Sequence, residues 1–229
     1  MCGRATIVDP NGLEVVSYEF TKKFNPADWR PRYNIRPTQD LPVLRAAEGS
    51  GCELVALRWG LIPRWAKDPA AVQSTFNARG ETVNEKPTFR TAFRKRRCLV
   101  LVDGFYEWPK KPNRDKNPRY IYMKAGGVFA FAGLWERWRD DVTGVVVESC
   151  AIITTDANAL LQSVPHDRMP VILGRRDWDR WLDPRVTDPA AVQPLIRQFD
   201  HDEMELRVTD SQYVNYGADD ERCIAELAA

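Results

Sequence analysis

The hydrophobic positions of this chain fall mainly into short alternating or continuous runs, and few stretches carry a helical spacing. Residues 41–46 and 52–61 read as two strands around a Glu48-Gly49-Ser50-Gly51 turn, a hairpin. Residues 98–102 are apolar throughout, the mark of a strand covered on both faces, and this run continues through Asp103-Gly104-Phe105-Tyr106 to Glu107 at its end. Residues 118–124 and 128–135 flank Ala125-Gly126-Gly127 and predict a second hairpin. Residues 145–155, 169–173 and 205–209 supply further strands. Helices are predicted at 10–20, where Asp9-Pro10 forms a cap with proline in the first turn, at 86–97 with Phe89 and Phe93 on one face, and at 177–182 and 189–199. No repeat or linker interrupts the pattern. It predicts an α+β fold of one domain over residues 2–229, built on a curved, barrel-like, mostly antiparallel sheet with peripheral helices.

Composition narrows the class. A chain of 229 residues is long enough for one large core. The five cysteines, at 2, 52, 98, 150 and 223, form no CxxC pair, and their odd number argues against a disulfide framework. With two histidines for company they make no zinc pattern, so neither metal nor cofactor is expected. The first apolar run is too short and polar for a secretory signal, and no run reaches the ~20 residues of a membrane span. A soluble cytoplasmic monomer, with no membrane partner, is the expectation. Net charge is only +1, but it is unevenly spread. Between Lys86 and Lys124 twelve Lys/Arg face three acids, while from Asp200 onward nine acids face Arg207 and Arg222. That asymmetry fits a basic face for phosphates and an acidic tail held off it; a solvated helix and a lysine-decorated hairpin fit it as well.

Chemistry concentrates at a few places. If Met1 is trimmed, Cys2 presents an α-amine and a thiol on adjacent carbons, with reference pKa values of roughly 8 and 8.5. An aldehyde would form an imine with the amine, and the thiol would close on it to give a thiazolidine; the plain alternative is a cysteine in a frayed terminus. Glu107, between Tyr106 and Trp108, is a carboxyl in apolar company, which disfavours its ionised form and suits a general acid, or else a strand-end residue paired with an arginine. His166 lies in Pro165-His166-Asp167-Arg168, as a surface turn histidine or a functional one. Asn77 and Arg79 read as a helix cap with its neighbour, or as site residues. Trp65 follows Pro63 in a loop, where an indole offers a stacking face to bases. Asn34 and Arg36, held extended by Pro37, can reach a phosphate backbone.

Taken in order, Cys2-Gly3-Arg4, Tyr33-Asn34 with Pro37, Trp59-Gly60-Leu61 with Pro63 and Trp65, Asn77-Ala78-Arg79 with Glu81, Asp103-Gly104-Phe105-Tyr106-Glu107-Trp108 and His166-Asp167-Arg168-Met169-Pro170 resemble the SRAP family, the SOS-response-associated peptidases or abasic-site-processing proteins. The resemblance is strongest over residues 2–175 and fades in the acidic segment 200–229. It implies that Cys2 links covalently to an abasic site in single-stranded DNA, including junctions of single strand with duplex. It implies a catalytic set of Cys2, Asn77, Glu107 and His166, with Arg4, Arg79 and Arg168 near phosphates and Asn34, Arg36, Pro37 and Trp65 as further DNA contacts. Two other classes stay open on the residues alone: an N-terminal-nucleophile amidohydrolase using Cys2, and a non-catalytic single-strand-binding module.

Overall fold

Strands dominate because the apolar runs are short, β-branched and punctuated by glycine and proline. The computed structural model describes residues 2–13, 29–49, 51–69, 72, 74–110 and 115–227. In chain order the strands and helices are β1 (Ala5–Ile7), β2 (Arg32–Ile35), β3 (Asp40–Ala46), β4 (Cys52–Trp59), β5 (Asn77–Arg79), α1 (Arg90–Lys95), β6 (Arg97–Val102), β7 (Gly104–Glu107), β8 (Arg119–Met123) and β9 (Phe129–Arg139). They continue as β10 (Val146–Asp156), α2 (Ala159–Ser163), β11 (Arg168–Pro170), β12 (Ile172–Leu173), α3 (Trp178–Leu182), α4 (Pro189–Val192), β13 (Met204–Val208) and α5 (Ser211–Asn215).

Five strands close into a barrel in the order β10, β4, β3, β6, β9 and back to β10. Only the β4–β10 contact is parallel within that ring, with Ser149 opposite Arg58. The expected β3–β4 hairpin forms, with Val43 facing Val55 and Ala46 facing Cys52. β6 is buried at every position, as its unbroken apolar run requires. The barrel is crowded at Gly133, where a β-carbon would lie 2.9 Å from both Cys98 Sγ and Val100 Cγ2. Phe131 packs edge-on to Phe105 and to Phe129, at 5.5 and 5.6 Å between centroids. Truncating such a ring to alanine costs ~3–5 kcal/mol.

A second sheet, ordered β13-β8-β7-β1-β2, lies against the barrel through Phe105. The run from 98 to 108 therefore serves two sheets. It breaks at Asp103-Gly104, where Asp103 accepts from the amides of Val8 and Asp9 and from Thr6 Oγ1. Gly104 has no room for a side chain, since the Tyr120 ring fills the space a β-carbon would need.

Three expectations change on inspection. The Ala125-Gly126-Gly127 turn closes no hairpin: β8 pairs with β7 and β13, β9 with the barrel, and the turn carries the chain from one sheet to the other. The helix expected over 86–97 shrinks to α1, because Arg97 already belongs to β6. The helix expected over 189–199 stops at Val192 and passes into a 3-10 turn at Gln193–Leu195, where Pro194 removes an amide donor. Of the helix expected over 10–20, a 3-10 turn at Pro10–Leu13 is described, and the remainder lies outside the described residues.

The acidic C-terminal segment is not a loose tail. Asp200, Asp210 and Asp220 each cap a short helical turn by accepting from the amide two residues on. Val214 and Cys223 are buried with Tyr106 and Tyr120 against the outer face of the second sheet. Among the described residues, no helix is long and apolar enough to cross a membrane.

Candidate functional site

Cys2, Asn77, Glu107 and His166 come from four separate segments, and the fold brings them to one seam between the barrel and the second sheet. β1 lies antiparallel to β7, Ala5 facing Phe105, and the Tyr106 amide donates to Arg4 O at 3.1 Å. Continuing that register sets Glu107 opposite Gly3, beside Cys2. Side chains alternate along β7, so Glu107 shares Phe105's face toward the barrel, while Tyr106 faces the C-terminal segment.

The other two residues hang on β10, which is longer than the barrel needs. Past the ring, β10 takes β5 as a parallel neighbour, Ile152 facing Asn77, and β11 on its other edge, Asp156 facing Arg168. Asn158 caps α2 by accepting from the Leu161 amide, and the chain leaving α2 at Ser163 turns into His166, whose amide donates to Leu161 O at 3.3 Å. The Asn77 and His166 positions are thereby set by the same strand.

Cys2 is fully buried. Its thiol donates to Arg4 O at 3.7 Å, and its carbonyl accepts from Asn77 Nδ2 at 2.6 Å. Asn77 Oδ1 is buried without a partner, an acceptor left open beside Cys2. Burial pushes the Cys2 thiol far up from its usual value, and the Glu107 carboxylate adds to the shift. The thiol therefore rests protonated, and making it a nucleophile requires a nearby group to take its proton.

Glu107 Oε2 lies 3.0 Å from His166 Nε2, both side chains almost wholly enclosed. On the far side of the ring, His166 Nδ1 lies 2.8 Å from Arg168 O. The Arg168 amide also lies 3.4 Å from Nδ1, but the carbonyl contact is much the shorter and a carbonyl only accepts, so Nδ1 carries a proton and donates it there. Nε2 is thus the ring nitrogen that faces the Glu107 carboxyl. A Lys110–Asp167 ion pair, with the Lys110 amide donating to Pro165 O at 3.3 Å, ties the end of β7 to the His166 turn.

The residues expected to meet DNA distribute differently. Arg4 points to the opposite sheet face from Glu107: Nη1 donates to Asn34 Oδ1 and to Val214 O, each at 2.7 Å. Asn34 is buried, and its Nδ2 donates to Val214 O and Ala218 O at 3.0 and 2.7 Å. Arg36 rests against Gly217, and Pro37 occupies a turn. These residues hold the C-terminal segment, so Arg4 and Asn34 have polar atoms already committed within the chain. Arg79 is exposed on β5. Arg168 donates to Glu81, Asp156 and Thr154. Trp65 is 65% exposed beside a hollow of about 760 Å³ that also takes in Arg64, Lys67, Trp138 and Arg139. Glu81 and the carbonyl of Val214 were not among the expected site residues. Glu81 stood in a quoted motif, but its partner is 87 positions away.

The chain has counterparts among known proteins. Residues 1–215 match the profile of the SOS response associated peptidase (SRAP) family, and the chain belongs to that family. It is 39% identical over 205 residues to the abasic site processing protein YoaM of Bacillus subtilis, covering 90% of this chain and 89% of that one. It is 35% identical over 184 residues to the abasic site processing protein HMCES of Xenopus tropicalis, where 68% of this chain matches 54% of the longer relative. Among solved structures, a Bacteroides thetaiotaomicron protein superposes with a TM-score of 0.85 at 26% identity, covering 99% of this chain and 100% of that one.

Proposed function

We propose that this protein processes abasic sites in single-stranded DNA by linking the N-terminal cysteine to the ring-opened sugar. The observation that carries the reading is the enclosed Cys2, its carbonyl held by Asn77 and its thiol within the electrostatic reach of Glu107, which contacts His166. The names of the curated relatives, which act on abasic sites, supply the substrate class.

The chemistry runs as a balanced condensation. Met1 is removed, freeing the α-amine of Cys2. Glu107 passes protons to and from the sugar oxygen, opening the hemiacetal to the C1′ aldehyde. The amine adds to C1′, and the resulting hydroxyl leaves as water with a proton from Glu107. Sγ then adds to C1′ as its proton passes to the Glu107–His166 pair, giving a thiazolidine. Aldehyde and aminothiol thus combine with loss of one water. Thiol closure matters because an iminium left open draws electrons from C2′ and promotes strand cleavage by β-elimination. Asn77 Oδ1 is suited to accept from the amine and turn its lone pair toward C1′. Exposed Arg79 and Trp65 are suited to phosphate and base contacts.

Intact-mass measurement with and without an abasic oligonucleotide tests the reading. The expected product weighs the protein lacking Met1 plus the oligonucleotide minus one water. No adduct, or an adduct on a chain that retains Met1, overturns it.

A further inference from the structure

Arg168 was expected near phosphate, yet both terminal nitrogens of its guanidinium are already engaged within the chain, while Nε is buried with no partner among the described residues. Nη1 donates to Glu81 Oε1 at 2.5 Å and Asp156 Oδ1 at 3.0 Å. Nη2 donates to Glu81 Oε2 at 3.0 Å and Thr154 O at 2.7 Å, with Thr154 Oγ1 at 3.3 Å. Glu81 takes the guanidinium as a two-pronged fork, the geometry in which Arg binds carboxylate most rigidly. The side chain of Arg168 is 13% exposed, and that of Glu81 is half exposed. The Arg168 guanidinium also holds the Glu81 carboxyl below its usual value, so the pair is charged across the neutral range.

The backbone of the same residue orients the histidine. Arg168 O is the acceptor 2.8 Å from His166 Nδ1. Which imidazole nitrogen is free for chemistry is decided by what the other one bonds. Here the bond at Nδ1 leaves Nε2 for Glu107 at 3.0 Å. Arg168 is held at both ends, its carbonyl by the ring and its guanidinium by β10 and by Glu81, which follows β5 in sequence.

We propose that Glu81 is a positioning residue for the Glu107–His166 pair: its grip on Arg168 fixes the carbonyl that holds the Nδ1 proton, and so keeps Nε2 turned to Glu107. The link runs from Glu81 through Arg168 to His166 and does not require Arg168 to touch DNA. The proposal rests on the reading of Glu107 and His166 as the acid/base centre, but it concerns the state of an imidazole and can be read without any substrate.

The chain has two histidines, so a His201→Gln background labelled with 15N-histidine reports His166 alone. In that background Nδ1 is expected to read as protonated. Glu81→Gln breaks the fork and should move the Nδ1 signal toward the average of the two tautomers. It should also slow adduct formation about 10- to 100-fold, the usual effect of removing a group that orients a histidine through its second nitrogen. Affinity for an abasic-site analogue should stay within about 2-fold, since no phosphate contact is lost. Asp156→Asn, which leaves the fork intact, should leave the His166 signal in place. If Glu81→Gln does not fold, Arg168→Lys, which cannot span both carboxylate oxygens, is measured in its stead with the same expectation for the ring. An unchanged His166 spectrum in the folded variant overturns the proposal. So does a loss of DNA affinity with an unmoved spectrum, which makes Arg168 a phosphate ligand. If the unsubstituted protein forms no adduct, the functional reading falls, and the comparison of spectra still decides the role of Glu81.

Discussion

Where β3, β4, β9 and β10 meet, Arg45 donates to Glu53 at 2.8 Å and to both oxygens of Glu148 at 3.1 Å, with the Trp135 ring 4.1 Å away. At the seam, Glu107 faces His166 at 3.0 Å, more deeply enclosed than Arg45 and Glu53: 2% and 3% of those side chains are exposed, against 9% and 9%. Arginine stays protonated at any pH the protein meets, so the Arg45 cluster is fixed in one state. An imidazole and a carboxyl in contact can pass a proton between them, which the arginine cannot do. A permanent ion pair holds strands; a pair that can pass a proton can also give one up. The contrast separates the part of the molecule that keeps shape from the part suited to chemistry.

Four substitutions or titrations break or sharpen that contrast. Cys2→Ala should abolish the covalent adduct entirely while leaving the fold intact, because the small side chain fits the same enclosed space; an adduct that persists would move the chemistry elsewhere. Glu107→Gln should slow adduct formation and its reversal together, by ~10²–10⁴-fold, with affinity for DNA nearly unchanged. Unaltered rates in a folded variant would place Glu107 with Arg45 and Glu53 as a structural charge. Arg45→Met should do the reverse. It leaves Glu53 buried without its cation and should cost ~3–5 kcal/mol of stability, read by chemical denaturation, with the adduct rate per folded molecule unchanged. The smallest effect is on binding. If about three to five phosphates are neutralised, log affinity for single strands should fall with log salt at a slope of roughly −2 to −3.5, and Arg79→Ala should flatten it by about 0.7.

The sequence patterns located the barrel strands well because β3, β4, β6, β9 and β10 are long or wholly apolar. They missed β1, β2 and β5, which have three or four residues and take their pairing from distant partners. The false hairpin at Ala125-Gly126-Gly127 has the same origin: two adjacent strands with a glycine turn look paired, and only the competing edges of β7 and β12 send them to different sheets. Glu107 and His166 drew attention as a carboxyl and a histidine in unusual company, and the fold sets them in contact. Arg4 and Asn34 looked like phosphate ligands because arginine and asparagine donate to any acceptor. In the fold they serve the carbonyls of Val214 and Ala218, some 180 to 210 positions away, which no local pattern encodes.

That last tie has a consequence for the order of events during synthesis. Cys2 is translated long before β7, the His166 turn or the Val214 carbonyl that clamps Arg4. At roughly 5–20 residues per second, the stretch between Arg4 and Val214 takes about 10–40 s to emerge. Throughout that interval β1 has no complete surface to dock on. Once the C-terminal segment seats on the second sheet, Arg4 and Asn34 gain the Val214 and Ala218 carbonyls as acceptors. The long-range clamp thus acts as a clock: the polar groups of Arg4 and Asn34 are the last of this sheet to be satisfied.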